Sequence, residues 1–128
     1  MHHLFARLLP FLIAVIAMLP TPIRAAELIM VDEPGCVWCA QWESDLGMIY
    51  PKTPEGNFAP LKKIGLRKIR SDQLAFSLKR PVSFTPTFLL IEGGHEMARI
   101  EGYPGEDFFW GLLERMLTEH TTYVRPEG

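Results

Sequence analysis

An α/β fold, a mixed four-stranded sheet flanked by helices, is what this sequence predicts, and three observations carry the expectation. Leu28-Ile29-Met30-Val31 and Phe88-Leu89-Leu90-Ile91 are short continuous apolar runs, the pattern of strands covered on both faces. Cys39, Trp42, Leu46 and Ile49 then recur at i, i+3, i+7 and i+10, which is one face of a helix. Gly93-Gly94 reads as a hairpin turn from which His95 to Glu101 returns as an antiparallel strand.

Taken in order, the first strand runs into the turn Asp32-Glu33-Pro34-Gly35 and then into the first helix, which Pro51 ends. Residues 52 to 63 hold Pro54, Gly56 and Pro60 and read as irregular, with a short helix over Asn57 to Lys63. Ile64 to Ile69 is the middle strand. Its basic surroundings (Lys62, Lys63, Arg67, Lys68, Arg70) read as a solvated face. Ser71-Asp72 is placed to cap a short helix through Leu78. Strand, helix, strand implies a right-handed crossover, so the first two strands should be parallel. Beyond Gly102, Pro104 suits a first helical position. Phe108, Phe109, Leu112, Leu113, Met116 and Leu117 form a broad apolar stripe for docking on a sheet, and residues after His120 read as a frayed tail.

The chain has 128 residues, enough for one domain. Hydrophobic residues make up 48% and charged residues 22%, a globular composition. A formal charge of −2 argues against an electrostatic grip on nucleic acid. The first 26 residues stand apart: a short start with Arg7, an apolar run from Leu8 to Leu19, then Pro20 and Pro22, and small residues at Ala25 and Ala26. That order is a secretory signal peptide, so residues 1–26 are expected to be removed and 27–128 to form the domain. An uncleaved anchor is the competing reading, but a span needs about 20 apolar residues, and this run has about a dozen. Ile23 and Ala25 fit one cut and Arg24 and Ala26 the next, with Arg24 the poorer choice. Cleavage leaves 11 basic against 15 acidic residues, a formal charge of −4.

Export changes how Cys36 and Cys39, the only cysteines, are read. A structural disulfide two residues apart closes too short a loop to constrain the unfolded chain much. Two cysteines with that spacing at a strand-to-helix turn instead form a redox pair. Unpaired N–H groups and the positive end of the helix dipole stabilise a thiolate there. Cys36 holds that place and is the expected attacking thiol. Cys39, one turn in on the face of Trp42 and Leu46, is the expected resolving thiol. Half of a metal site is the bland alternative. Zinc wants four ligands, and nothing in the spacing of His95 and His120 recruits them, so neither metal nor cofactor is expected.

Strand, Pro34-Gly35-Cys36-Val37-Trp38-Cys39, helix, and then Phe84-Thr85-Pro86-Thr87 leading into a strand together resemble the thioredoxin superfamily. Further blocks extend the likeness: Glu27 to Val31, Tyr50-Pro51-Lys52-Thr53 and Ile100-Glu101-Gly102-Tyr103-Pro104-Gly105-Glu106. With these the chain resembles the periplasmic thioredoxins of the bacterial sulfur-oxidation (Sox) system. The resemblance implies a thioredoxin-like fold in which the Thr85–Pro86 peptide is cis and faces the cysteine pair. Thr85 would then pair with a substrate strand by main-chain bonds, and Pro86, which lacks an N–H, would leave the approach open. Trp38, between the cysteines, is read as a further partner contact, with covering the disulfide as the alternative. The resemblance also implies a periplasmic thiol–disulfide oxidoreductase. Its partner would be the cysteine of a sulfur-carrier protein or a similar exported thiol protein, and its electrons would come from a membrane thiol-reducing transporter.

Two departures stand out. Val37 replaces a proline common between such cysteines, and Met30 stands where thioredoxin proper has an aspartate. That leaves Asp32 and Glu33 as candidates for the proton relay. Two other functions remain open at this point: a general disulfide oxidase or isomerase of exported proteins, and a metal-binding or regulatory module without turnover. Direction depends on reduction potential, where about 30 mV is worth 1.4 kcal/mol, and no motif sets it so finely.

Overall fold

The computed structural model describes residues 25–128. The signal-peptide expectation, apart from Ala25 and Ala26, therefore lies outside the described residues. Strand β1 (Glu27–Asp32) sits inside a four-stranded sheet of order β2-β1-β3-β4, with β2 at Leu61–Gly65, β3 at Thr87–Glu92 and β4 at His95–Glu101. β1 pairs in parallel with β2 and antiparallel with β3, and β3 pairs antiparallel with β4. The mixed α/β sheet expected from the sequence is present. Gly93 and Gly94 make its hairpin with φ of 62° and 79°, the left-handed values that such two-residue turns require.

Both faces of the sheet are covered, which is why β1 and β3 are apolar without alternation. Leu28, Met30, Phe88 and Leu90 point to one side, where α1 (Val37–Leu46) and α4 (Glu106–His120) pack. Ile29, Val31, Leu89 and Ile91 point to the other. Trp42 anchors the first core, its ring 5.5 Å from Phe88 and 5.8 Å from Phe109 between centroids. Burying one such side chain contributes about 1.5–3 kcal/mol before packing terms.

Several local expectations are corrected. Helix α1 stops at Leu46, and Ile49 is exposed; the chain turns through a 3₁₀ segment at Tyr50–Lys52 and buries Tyr50 instead. The next helix is α2 (Pro54–Phe58), not Asn57 to Lys63. Thr53 caps it by accepting from the Gly56 N–H at 3.0 Å, and a Cβ on Gly56 would meet the Tyr50 carbonyl. The middle strand is Leu61–Gly65, and Leu66–Ile69 is a helical turn, α3. As an edge strand, β2 leaves Lys62 and Lys63 in solvent, so it carries no apolar run.

No helix follows Ser71. Its hydroxyl bonds back to the Lys68 carbonyl at 2.6 Å rather than capping forward. Leu74, Phe76 and Leu78 are two residues apart, the spacing of an extended strap, and they cover the second face of the sheet. Helix α4 begins at Glu106 after Gly105, so Pro104 lies before it. Its buried stripe is Phe109, Leu113, Met116 and Leu117, while Phe108 and Leu112 are exposed. The segment after His120 is ordered at Tyr123, which is buried against Phe58 with ring centroids 5.2 Å apart.

Candidate functional site

Cys36 is the N-cap of α1. Its Sγ accepts a hydrogen bond from the Cys39 N–H at 3.1 Å, and its own N–H donates to the Glu33 carbonyl at 3.2 Å. Gly35, at φ 80°, makes the sharp entry to that cap. No acidic residue stands in the first turn of α1, so nothing there offsets the positive end of its dipole. Cys36 and Cys39 are joined as a disulfide with Cα atoms 5.3 Å apart. Cys36 is half-buried, whereas Cys39 is buried and belongs to the core cluster of Trp42 and Leu46.

The Thr85–Pro86 peptide is cis. Pro86 is buried at the start of β3, and its carbonyl accepts from the Gly102 N–H at 2.7 Å. The Thr85 hydroxyl donates to Glu33 Oε1 at 2.7 Å. Glu33 thus links the two loops, through its side chain to Thr85 and through its carbonyl to Cys36. Around them the surface is apolar: Val37 is 74% exposed, Trp38 60% and Phe84 60%. Phe84 belongs to the Phe84-Thr85-Pro86-Thr87 block of the sequence, but no periodic signal there marks it as part of an exposed surface.

A cleft of about 290 Å³ lies beside the cysteines. Met30 lines it, as do Asp32 and Glu33, the two carboxylates expected near the relay position. Two further charged residues share it: Glu43 from α1 and Lys63 from β2, joined as an ion pair. The register of the parallel pair sets this, because Lys63 lies opposite Met30. Of the histidines considered as metal ligands, His95 meets Ser77, with Nδ1 2.8 Å from its Oγ.

A second charged arrangement lies on the other face of the sheet. Arg99 donates through Nε to Glu96 Oε1 at 2.5 Å and through Nη2 to Glu96 Oε2 at 2.7 Å. The two side chains are 3% and 0% exposed. Burial pushes the Glu96 carboxyl up, but hydrogen bonds from Arg99 and the Lys79 N–H, with the charges of Arg99 and Arg80, outweigh it and hold it below its usual value.

No protein-family model matches this chain, and no curated protein matches it. Among solved structures it is similar to the periplasmic thioredoxin SoxS from Paracoccus pantotrophus in its reduced form. Identity is 44% over 73% of this chain and 97% of that one, with a TM-score of 0.69. That identity over nearly the whole of the relative, together with the cysteine pair at the helix start and the mixed sheet behind it, makes this chain a member of the thioredoxin superfamily and a thiol–disulfide oxidoreductase.

Proposed function

We propose that this protein works in the periplasm as a reductant, passing two electrons from Cys36 and Cys39 to the oxidised cysteine of a sulfur-carrier or similar exported protein. The observation that carries the exchange chemistry is Cys36 at the N-cap of α1, beside an exposed apolar surface of Trp38, Val37 and Phe84 that suits a protein partner. Similarity to a periplasmic thioredoxin supports the compartment and the chemistry. In the reaction the Cys36 thiolate attacks the partner's disulfide, forming a mixed disulfide and releasing one partner sulfur as thiolate. Cys39 then gives up its proton and attacks Cys36 Sγ, which releases the second partner thiol and closes the Cys36–Cys39 disulfide. A membrane thiol-reducing donor would return the two electrons. Trp38, Thr85 and Pro86 are the proposed partner contacts, Thr85 through its main chain as in strand addition.

Direction of flow is what most needs testing. Alkylating thiols in intact cells and resolving the species by mass should find Cys36 and Cys39 mostly reduced. A mostly oxidised pair would overturn the reducing role and favour an oxidase.

Export has its own test. Ala26 is only 2% exposed and packs in the core with Leu28 and Met30, so a cut after Ala25 keeps a useful contact. Intact-mass analysis of the periplasmic fraction should give a mature N-terminus at Ala26, with Glu27 as the adjacent alternative. A full-length, membrane-held species would contradict cleavage.

A further inference from the structure

In a regular strand, residues three apart point to opposite faces. Glu96 and Arg99 do not. The pairing of β3 with β4 shifts between Leu90 and Ile91, so that Leu90 faces Ala98 while Ile91 faces Glu96. The extra residue, Met97, is a bulge, and it turns Glu96 onto the same face as Arg99. Both then lie beneath the strap that crosses this face, and nearly every polar atom they present is used. Glu96 Oε2 accepts from the Lys79 N–H at 2.8 Å. Arg99 Nη2 donates to the Arg80 carbonyl at 2.7 Å and Nη1 to the Pro81 carbonyl at 3.2 Å. Val82, next in line, is buried against Ile29, Val31 and Leu89.

What these bonds hold is the approach to the cysteine site. Residues 79 to 81 are tied to β4, Val82 is held by its burial in the core, and Pro86 is tied to Gly102 by its carbonyl. Only Ser83, Phe84 and Thr85 lie between the two anchors. Three residues span at most about 10–11 Å, so their freedom depends on how firmly both ends are held. We propose that the Glu96–Arg99 pair is a positioning element for partner recognition. It fixes the strap, and through it the Phe84–Thr85 loop, in the place where a protein substrate meets Cys36. This rests on the proposed docking of a partner on that loop. Neither side chain touches the reacting sulfurs; both act through the backbone of residues 79–81.

A small disulfide needs no loop contact, whereas a protein disulfide does, and this separates positioning from general loss of structure. Prereduced protein would be mixed with insulin and, separately, with bis(2-hydroxyethyl) disulfide. Arg99→Lys keeps the charge and loses the fork that reaches two carbonyls. It should lower the second-order rate constant for reducing insulin about tenfold, within the ~100-fold that a remote misplacement can cost, and change the small-disulfide rate by less than about twofold. Val82→Ala, a milder loosening of the same anchor, should show the same pattern to a lesser degree, and it serves if Arg99→Lys fails to fold. Equal losses on both substrates, or an unchanged insulin rate in the folded variants, would overturn the proposal. Phe84→Asp marks which reading has failed. If it slows insulin reduction while Arg99→Lys and Val82→Ala do not, the positioning role alone is wrong. If it also leaves insulin reduction unchanged, partners do not dock on this loop, and the positioning role falls with that reading.

Discussion

Cys39→Ser should accumulate a covalent adduct with its partner in the periplasm, while Cys36→Ser should trap nothing and reduce insulin no faster than buffer. The expectation follows from where each sulfur sits. Cys36 Sγ already accepts an N–H from the first turn of α1, an interaction that strengthens when the sulfur is a thiolate. No carboxylate in that turn opposes it. Cys39 is 7% exposed, too enclosed to meet a partner's disulfide but correctly placed to strike Cys36 from behind. Without Cys39 the mixed disulfide has no resolving thiol. Non-reducing gels of periplasm from cells oxidising thiosulfate, followed by mass spectrometry, would identify what is trapped. A sulfur-carrier protein supports the proposed role, and a broad ladder of secreted proteins supports a general oxidase or isomerase. Adducts on Cys36→Ser but not on Cys39→Ser would reverse the two assignments.

The parts of this site that were legible in the sequence are those where one residue dictates local backbone. A cysteine pair at the end of an apolar run, after Pro34-Gly35, can hardly lie anywhere but at a strand-to-helix turn. Gly93-Gly94 between two strand patterns specifies a hairpin just as directly. The Thr85–Pro86 geometry was expected only by resemblance, because proline alone leaves the isomer open. The region from Tyr50 to Leu78 is less legible. Leu74, Phe76 and Leu78 alternate as a strand would, yet they form a strap without a ladder. Lys62 and Lys63 hid β2, since an edge strand has no need of apolar residues on its open side. Glu96 and Arg99 were invisible for a sharper reason. Three residues apart in a strand, they should face opposite ways, and only the register shift at Leu90/Ile91 brings them together.

Glu96→Ala should destabilise the domain by about 3 kcal/mol, the low end of the cost of breaking a buried pair, because Arg99 keeps Glu101 as a second carboxylate partner at 3.5 Å. For a domain of this size that corresponds to a fall in Tm of at least about 12 °C. Arg99 would keep its bonds to Arg80 and Pro81 and its contact with Glu101 but lose both bonds to Glu96, and the Lys79 N–H would lose its acceptor. The same pair makes stability depend on acid. Because the folded protein holds the Glu96 carboxyl below its ordinary value of 4.5, the stabilisation is fully present above that value. It drains away as pH falls further, through the lower value of the folded state. Urea unfolding of wild type and Glu96→Gln at neutral pH and at stepwise lower pH tests both points together. The gap between the two proteins should be wide at neutral pH and should narrow progressively below about 4.5, because protonation gives the wild type the uncharged group that glutamine supplies permanently. A gap that stays constant into strong acid would show that Glu96 is not stabilised as an ion.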